Sequence, residues 1–107
     1  MNKVVLGAIV ILSTGMVLDS HAAEPSKSDM CHSLEKHAVS IMNYRQRDLP
    51  ISGLMDIANK MSEETQAISK SIIIAAYEHP AYQSEEYKQR AIRSFANEIA
   101  TGCYKNL

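Results

Sequence analysis

The sequence predicts an all-α fold, a small bundle of about four helices closed by one disulfide. Three observations predict it. Apolar residues recur at spacings of three and four in four segments. After residue 22 the chain has only two glycines and no Asn-Gly or Asp-Gly hairpin turn. Its only two cysteines lie near the two ends of that same region.

The first 22 residues are predicted to be a cleaved secretory signal peptide. Lys3 gives a positive start, residues 4–18 are uncharged and largely apolar, and Ser20-His21-Ala22 forms a peptidase site of small residues at its two key positions. Cleavage after Ala23 is an alternative. An uncleaved membrane anchor is another, although the apolar stretch is shorter than the roughly 20 residues that span a bilayer.

Residues 23–107 are therefore predicted to be a single helical domain that is periplasmic or secreted, without a stable membrane anchor. This region carries ten Lys/Arg and eleven Asp/Glu. Binding to nucleic acid requires a clustered basic surface that displaces counterions. The balanced charge therefore predicts no nucleic-acid partner.

Cys31 and Cys103 are predicted to form the disulfide, because exported proteins fold in an oxidising compartment. A domain of this size buries a modest core and is often helped by a covalent link. Closing a loop of about 70 residues stabilises by roughly 4 kcal/mol in the chain-entropy model. Two independent buried thiols are the alternative.

The first helix is expected to follow a flexible polar leader over residues 23–28, with Ser28 or Asp29 as its N-cap. Pro50 ends this helix, and Ser52 is the expected N-cap of a shorter second one. The two apolar stripes consist of Cys31, Leu34, Ala38, Ile41 and Met42, and of Leu54, Ile57, Ala58 and Met61.

The third helix is expected to begin at Ser62 and to stop before Pro80, and the fourth to begin at Ser84 and to end near Gly102. Their apolar stripes are Ile68, Ile72, Ala75 and Ala76, and Ile92, Phe95, Ile99 and Cys103.

The run Ile72-Ile73-Ile74 also suits a buried strand, but no partner strand is visible in the sequence. On a helix these three residues cover more than one core-facing stripe. At least one is therefore expected to be exposed unless something covers it. A homodimer, a protein partner or a central position of this helix in the bundle would each do so.

No catalytic, metal or cofactor site is predicted. His32 and Glu35 share a helix face, but a metal site needs further ligands. His37, Glu78 and His79 lie elsewhere in the sequence, and all five read as solvated surface residues. The chain has no nucleophile elbow and no phosphate-binding glycine loop. We therefore expect that it is not an enzyme.

Two clusters of tyrosine and arginine predict protein binding, because these residue types most often anchor protein interfaces. One is residues 44–48 at the end of the first helix, and the other lies between the third and fourth helices. The predicted protein-binding residues are Tyr44, Arg45, Arg47, Tyr77, Tyr82 and Tyr87. Ordinary loop packing is the alternative for both clusters.

The segment from Cys31 to Gln46, with its ending Ala-Val-Ser-Ile-Met-Asn-Tyr-Arg-Gln, resembles short exported helical proteins of Gram-negative bacteria and their prophages. So does Ala-Tyr-Glu-His-Pro-Ala-Tyr at residues 76–82, followed by Arg-Ser-Phe-Ala-Asn-Glu at 93–98 and by Cys103. The resemblance implies export, helices and a cysteine near each end of the mature chain. It assigns no activity and no site residue.

The expected function is binding of an unidentified protein partner, as an inhibitor or immunity-type factor in the envelope. The alternative is a periplasmic stress or acid-protective chaperone. Three histidines and eleven acids after residue 22 would loosen such a bundle as they become protonated.

Overall fold

The computed structural model describes residues 26–106 and shows four helices and no strand in that part of the chain. The helices are α1 Lys27–Gln46, α2 Ile51–Ala58, α3 Glu63–Tyr77 and α4 Glu85–Lys105. The predicted helical bundle is confirmed. The predicted signal peptide and its cleavage site lie outside the described residues. Between residues 26 and 106, every helix is too short or too polar to cross a membrane.

Helix α1 begins earlier than its sequence predicts. Ser26 is the N-cap, and its Oγ accepts from the Asp29 N–H at 3.1 Å while the Asp29 carboxylate accepts from the Ser26 N–H at 3.4 Å. This reciprocal capping box satisfies two backbone donors that a cap at Ser28 or Asp29 would leave open. The end of the predicted leader, Lys27 and Ser28, is therefore helical.

The second helix also begins earlier than predicted, because Pro50 and not Ser52 is its N-cap. The proline ring fixes φ, here −72°, at a value that suits a cap position, and no side chain bonds the first turn. Asp48 just before it has φ of 59° and turns the chain out of α1. Aspartate tolerates this left-handed conformation better than most residues.

The last two helices begin where predicted. Ser84 accepts from the Tyr87 N–H at 3.1 Å, whereas Ser62 Oγ bonds the Thr65 hydroxyl instead of a backbone donor. The predicted break at Gly102 is wrong, since α4 continues to Lys105. A glycine ends a helix by adopting positive φ, and Gly102 does not adopt it.

Helices α1 and α4 are antiparallel neighbours of 20 and 21 residues. The predicted disulfide between Cys31 and Cys103 is confirmed, with the two Cα atoms 5.5 Å apart, and it joins the start of α1 to the end of α4. Helix α3 runs parallel to α1, because Ser69 in its first half contacts His37, and His79 just after its end contacts Arg45 near the end of α1. Residues of α1 therefore contact α4 on one side and α3 on the other.

The core lies where α1, α3 and α4 meet. Its largest members are Phe95 and Met42. The other buried apolar residues packed with them are Ala38, Ile41, Ala58, Ile72, Ile73, Ala76, Ile92 and Ala96.

Two predicted core residues, Ile57 and Ile68, are exposed instead. In α3 the predicted Ile72 and Ala76 are buried, but the other two buried residues are Ser69 and Ile73 and not Ile68 and Ala75. The isoleucine run is helical, so the strand alternative is wrong. Ile72 and Ile73 are buried, and Ile74 is 50% exposed, as the width of the run predicts.

Candidate functional site

The two predicted tyrosine–arginine clusters meet at one end of the bundle. Three hydrogen bonds hold residues 79–82 against the end of α1. Arg45 Nε donates to the His79 carbonyl at 2.9 Å, and Gln46 Nε2 donates to the Pro80 carbonyl at 2.8 Å. The Tyr82 N–H donates back to Gln46 Oε1 at 2.8 Å. The loop between α3 and α4 is thereby fixed to α1.

Gln46 is the centre of this junction. Its side chain is 1% exposed, and both ends of its amide are hydrogen-bonded. The Lys88 ammonium donates to the Gln46 backbone carbonyl, so α4 is tied to the same residue. A buried amide with all its partners present favours one arrangement of the loop over its alternatives.

Arg45 and Tyr77 form the inner part of the junction. The Arg45 guanidinium carbon lies 4.8 Å from the centre of the Tyr77 ring. The Tyr77 hydroxyl donates to the Leu49 carbonyl at 2.6 Å, which ties α3 to the segment before α2. Burial raises the pKa of Tyr77 above its ordinary value of 10.0, and nearby Tyr44 raises it further, whereas Arg45 lowers it. Arg45 and Tyr77 therefore hold elements of the fold together.

Tyr44 is half-buried against α2. A β-carbon at Gly53 would overlap the Tyr44 hydroxyl, so the absence of a side chain at Gly53 gives the phenol ring its place. Tyr44 therefore packs α1 against α2.

Arg47, Tyr82 and Tyr87 are exposed. The Tyr82 and Tyr87 ring centres are 6.0 Å apart, and the Arg90 guanidinium carbon lies 5.3 Å from the centre of the Tyr87 ring. We call Arg47, Tyr82, Tyr87 and Arg90 the loop-end surface. Its rings and guanidinium groups are the residue types that anchor protein interfaces.

A cavity of about 440 Å³ lies beside the loop-end surface, between the end of α1 and the start of α4. Arg47 and Lys88 bring positive charge to its wall, and Asp48 and Glu85 bring negative charge. Gln46 forms part of its wall as well. A wall of mixed charge and amide groups offers directional hydrogen bonds to a partner.

The histidines lie apart from one another. His32 Nδ1 is 3.9 Å from Glu35 on the α1 surface. His79 packs its ring edge on Phe95 at 5.5 Å between centres and lies 3.7 Å from Glu98. His37 is half-buried, not solvated as predicted, and its Nε2 is hydrogen-bonded to Ser69 Oγ at 3.0 Å. In residues 26–106 no three His, Cys, Asp or Glu side chains are grouped to hold a metal.

Gln46, Lys88 and Arg90 are not among the residues that the sequence predicts for protein binding. Gln46 follows Met42 by four residues and so continues the buried stripe of α1, which is a detectable signal for a buried amide. Arg90 follows Glu86 and Tyr87 by four and three residues, the spacings at which helical side chains meet. No local sequence pattern predicts the contact of Lys88, because its partner Gln46 is distant in sequence.

No protein-family model, curated protein or solved structure matches this chain.

Proposed function

We propose that the protein binds another exported protein through the loop-end surface and acts as an inhibitor or immunity-type factor in the envelope. The observation that carries the proposal is the exposed pair of tyrosine rings, Tyr82 on the loop fixed by buried Gln46 and Tyr87 in the first turn of α4. Tyr87 is 52% exposed although its ring is large and partly apolar.

The fixed loop lowers the entropic cost of binding. Ordering a flexible side chain or loop at an interface opposes association, and a surface already held in place loses less freedom. The hydrogen bond from the Tyr82 N–H to Gln46 Oε1 holds Tyr82 in place. Tyr87 is flanked by the Tyr82 ring and by Arg90. The rings therefore offer contact area at little further ordering cost.

Affinity purification from the cell envelope tests the proposal. The disulfide-bonded protein is compared with Tyr82→Ala, Tyr87→Ala and the control Tyr104→Ala, whose ring is 43% exposed at the far end of α4. Each binding partner is then purified and titrated. We expect Tyr82→Ala and Tyr87→Ala to bind at least about tenfold more weakly, as anchor residues do, and Tyr104→Ala to bind like the wild type.

All three variants must melt like the wild type for the comparison to count. Equal capture by the wild type, Tyr82→Ala and Tyr87→Ala would contradict the proposal. Retention of many unrelated proteins by every variant would favour the chaperone alternative, since a chaperone holds clients through apolar surface and not through two chosen rings.

A further inference from the structure

A groove opens between α3 and α4 at the disulfide end of the bundle. Both helices pack on α1 but come close to each other at few places. The groove encloses about 520 Å³. Its apolar side chains are those of Met30, Leu34, Ile68, Ile72, Ile99 and Cys103. Met30 is 55% exposed and Ile68 is 46% exposed, so the groove is open to solvent.

Gly102 keeps this groove open. It follows Phe95 and Ile99 by seven and three residues and therefore continues the inward-facing stripe of α4. Apart from its own stretch of α4, a β-carbon at this position would meet no atom within 4 Å. Glycine destabilises a helix interior relative to alanine, and here it neither ends α4 nor adopts positive φ. Its effect on the structure is therefore the space that it leaves.

Lys27 brings the only charge to the groove wall among the described residues. The ion pairs within residues 26–106 involve two arginines and two histidines but not Lys27. The other polar side chains of the wall, Ser71 and Asn106, are neutral. An apolar groove with one positive charge complements an apolar molecule with one anionic group.

The size of the groove favours a small ligand over a protein. Small-molecule sites enclose about 300–1,000 Å³, whereas each partner in a standard protein interface buries about 800 Å². The groove exposes far less apolar surface than that. Among the described residues, its wall also has no aromatic side chain on which a ring could stack. These features favour a flexible aliphatic chain.

We propose that this groove binds a long-chain fatty acid. The acyl chain lies along Leu34, Ile72 and Ile99 and passes over Gly102, and the carboxylate pairs with the Lys27 ammonium. Burial of methylene groups provides most of the affinity, and the exposed ion pair sets the orientation of the ligand.

The groove is independent of the proposed protein-binding surface. Lys27 is the first residue of α1, whereas Arg47 of the loop-end surface follows its last residue. Loss of fatty-acid binding would therefore leave the protein-binding proposal untouched, and the reverse also holds.

Titration of the disulfide-bonded protein with dodecanoate, below its micelle-forming concentration, tests the site. NMR signals of side chains report where the ligand binds. We expect the methyl signals of Met30 and Ile99 to shift and the ring signals of Tyr87, on the loop-end surface, to stay unchanged. Octanoate should bind at least about tenfold more weakly, because the shorter chain buries fewer methylene groups.

Gly102→Leu tests whether the space at this position holds the ligand. Its β-carbon has room, and leucine favours the helix, so this variant should melt above the wild type. It should nevertheless bind dodecanoate at least about tenfold more weakly, because the new side chain replaces methylene groups of the ligand. Unfolding cannot produce this combination. Thr101→Leu adds the same side chain at an exposed position outside the groove and should bind like the wild type.

Lys27→Gln tests the charge. It should weaken dodecanoate binding by about two- to fivefold, as expected for an exposed ion pair. Lys105→Gln is the matched control, since Lys105 is exposed at the same end of the bundle but outside the groove. Dodecyltrimethylammonium, with the same chain and the opposite charge, should bind the wild type more weakly than dodecanoate. Lys27→Gln should narrow this difference.

The proposal is overturned if neither methyl signal shifts, if Gly102→Leu binds dodecanoate like the wild type, or if the two amphiphiles bind the wild type equally. Binding to phosphatidylglycerol vesicles without binding of monomeric dodecanoate would also overturn it, and would assign the apolar surface to a membrane. A dimer that Gly102→Leu dissociates would instead place a second copy of the chain in the groove.

Discussion

Two polar residues, Gln46 and Ser69, occupy core positions in this bundle, and each is 1% exposed. Both are stable there because their polar atoms have partners from another element, Pro80 and Tyr82 for Gln46 and His37 for Ser69. An unpaired buried polar group would cost about 1–3 kcal/mol. Each of the two therefore fixes the position of the element that satisfies it.

Tyr77 gives a pH-dependent prediction at the same scale. Tyr77→Phe removes the hydrogen bond to the Leu49 carbonyl and should lower the free energy of unfolding by about 1 kcal/mol at neutral pH. Burial raises the pKa of this phenol on folding. The contribution of its neutral form is therefore complete below the unfolded pKa of about 10 and is lost as the pH rises through the folded pKa.

Urea unfolding of wild type and Tyr77→Phe between pH 7 and about pH 11 measures this difference. The stability gap between them should narrow above about pH 10, since only the wild type carries this phenol. Tyr104→Phe, on the exposed part of α4, is the control and should follow the wild type throughout. A gap that widens with pH would contradict the assignment.

At the scale of elements, the periodicity of apolar residues identified all four helices, because each helix buries one stripe. The periodicity did not predict where α1 and α2 begin or where α4 ends, and it misplaced part of the buried stripe of α3. Ser26 caps α1 through a side chain three residues from its partner, and Pro50 caps α2 through its backbone geometry alone. In α3 the polar Ser69 took the core position that hydrophobicity assigned to Ile68, because His37 satisfies its hydroxyl.

The candidate site was predictable only in part, for a related reason. Tyrosine and arginine content marked both clusters, but their meeting depends on hydrogen bonds between residues more than 30 positions apart, such as those of Arg45 and Gln46. Local spacing carries no information on such contacts. Half of the predicted binding residues, Tyr44, Arg45 and Tyr77, consequently have contacts inside the fold that sequence could not assign.

The loop between α3 and α4 should loosen when Gln46 is replaced. Gln46→Leu fills the core position with an apolar side chain but leaves the Pro80 carbonyl and the Tyr82 N–H without their partner. We expect the free energy of unfolding to fall by about 2 kcal/mol and hydrogen exchange at the Tyr82 amide to accelerate.

Gln83→Leu is the matched control, since Gln83 lies on the same loop but is exposed. It should change neither quantity appreciably. Unaltered exchange at Tyr82 in Gln46→Leu would show that the loop is held by other contacts.

For the whole molecule, the disulfide spans 72 residues and links the first described helix to the last. Replacing both cysteines, as Cys31→Ala with Cys103→Ala, should lower the free energy of unfolding by about 4 kcal/mol, mainly because the unfolded chain gains freedom. Urea unfolding of the double variant and of chemically reduced wild type should give similar midpoints. Equal midpoints for the oxidised wild type and the double variant would contradict this role.

The disulfide also makes the two ends of the bundle different from each other. Cys31 and Cys103 are side by side, so the start of α1 and the end of α4 lie at one pole of the bundle. From there to Gln46, α1 advances about 22 Å at the usual rise per residue. A label attached at Lys27 or at Lys105, the first residue of α1 and the last of α4, therefore lies towards that pole. Tyr82 and Tyr87 lie at the opposite pole, so a label at the disulfide pole would leave both rings uncovered.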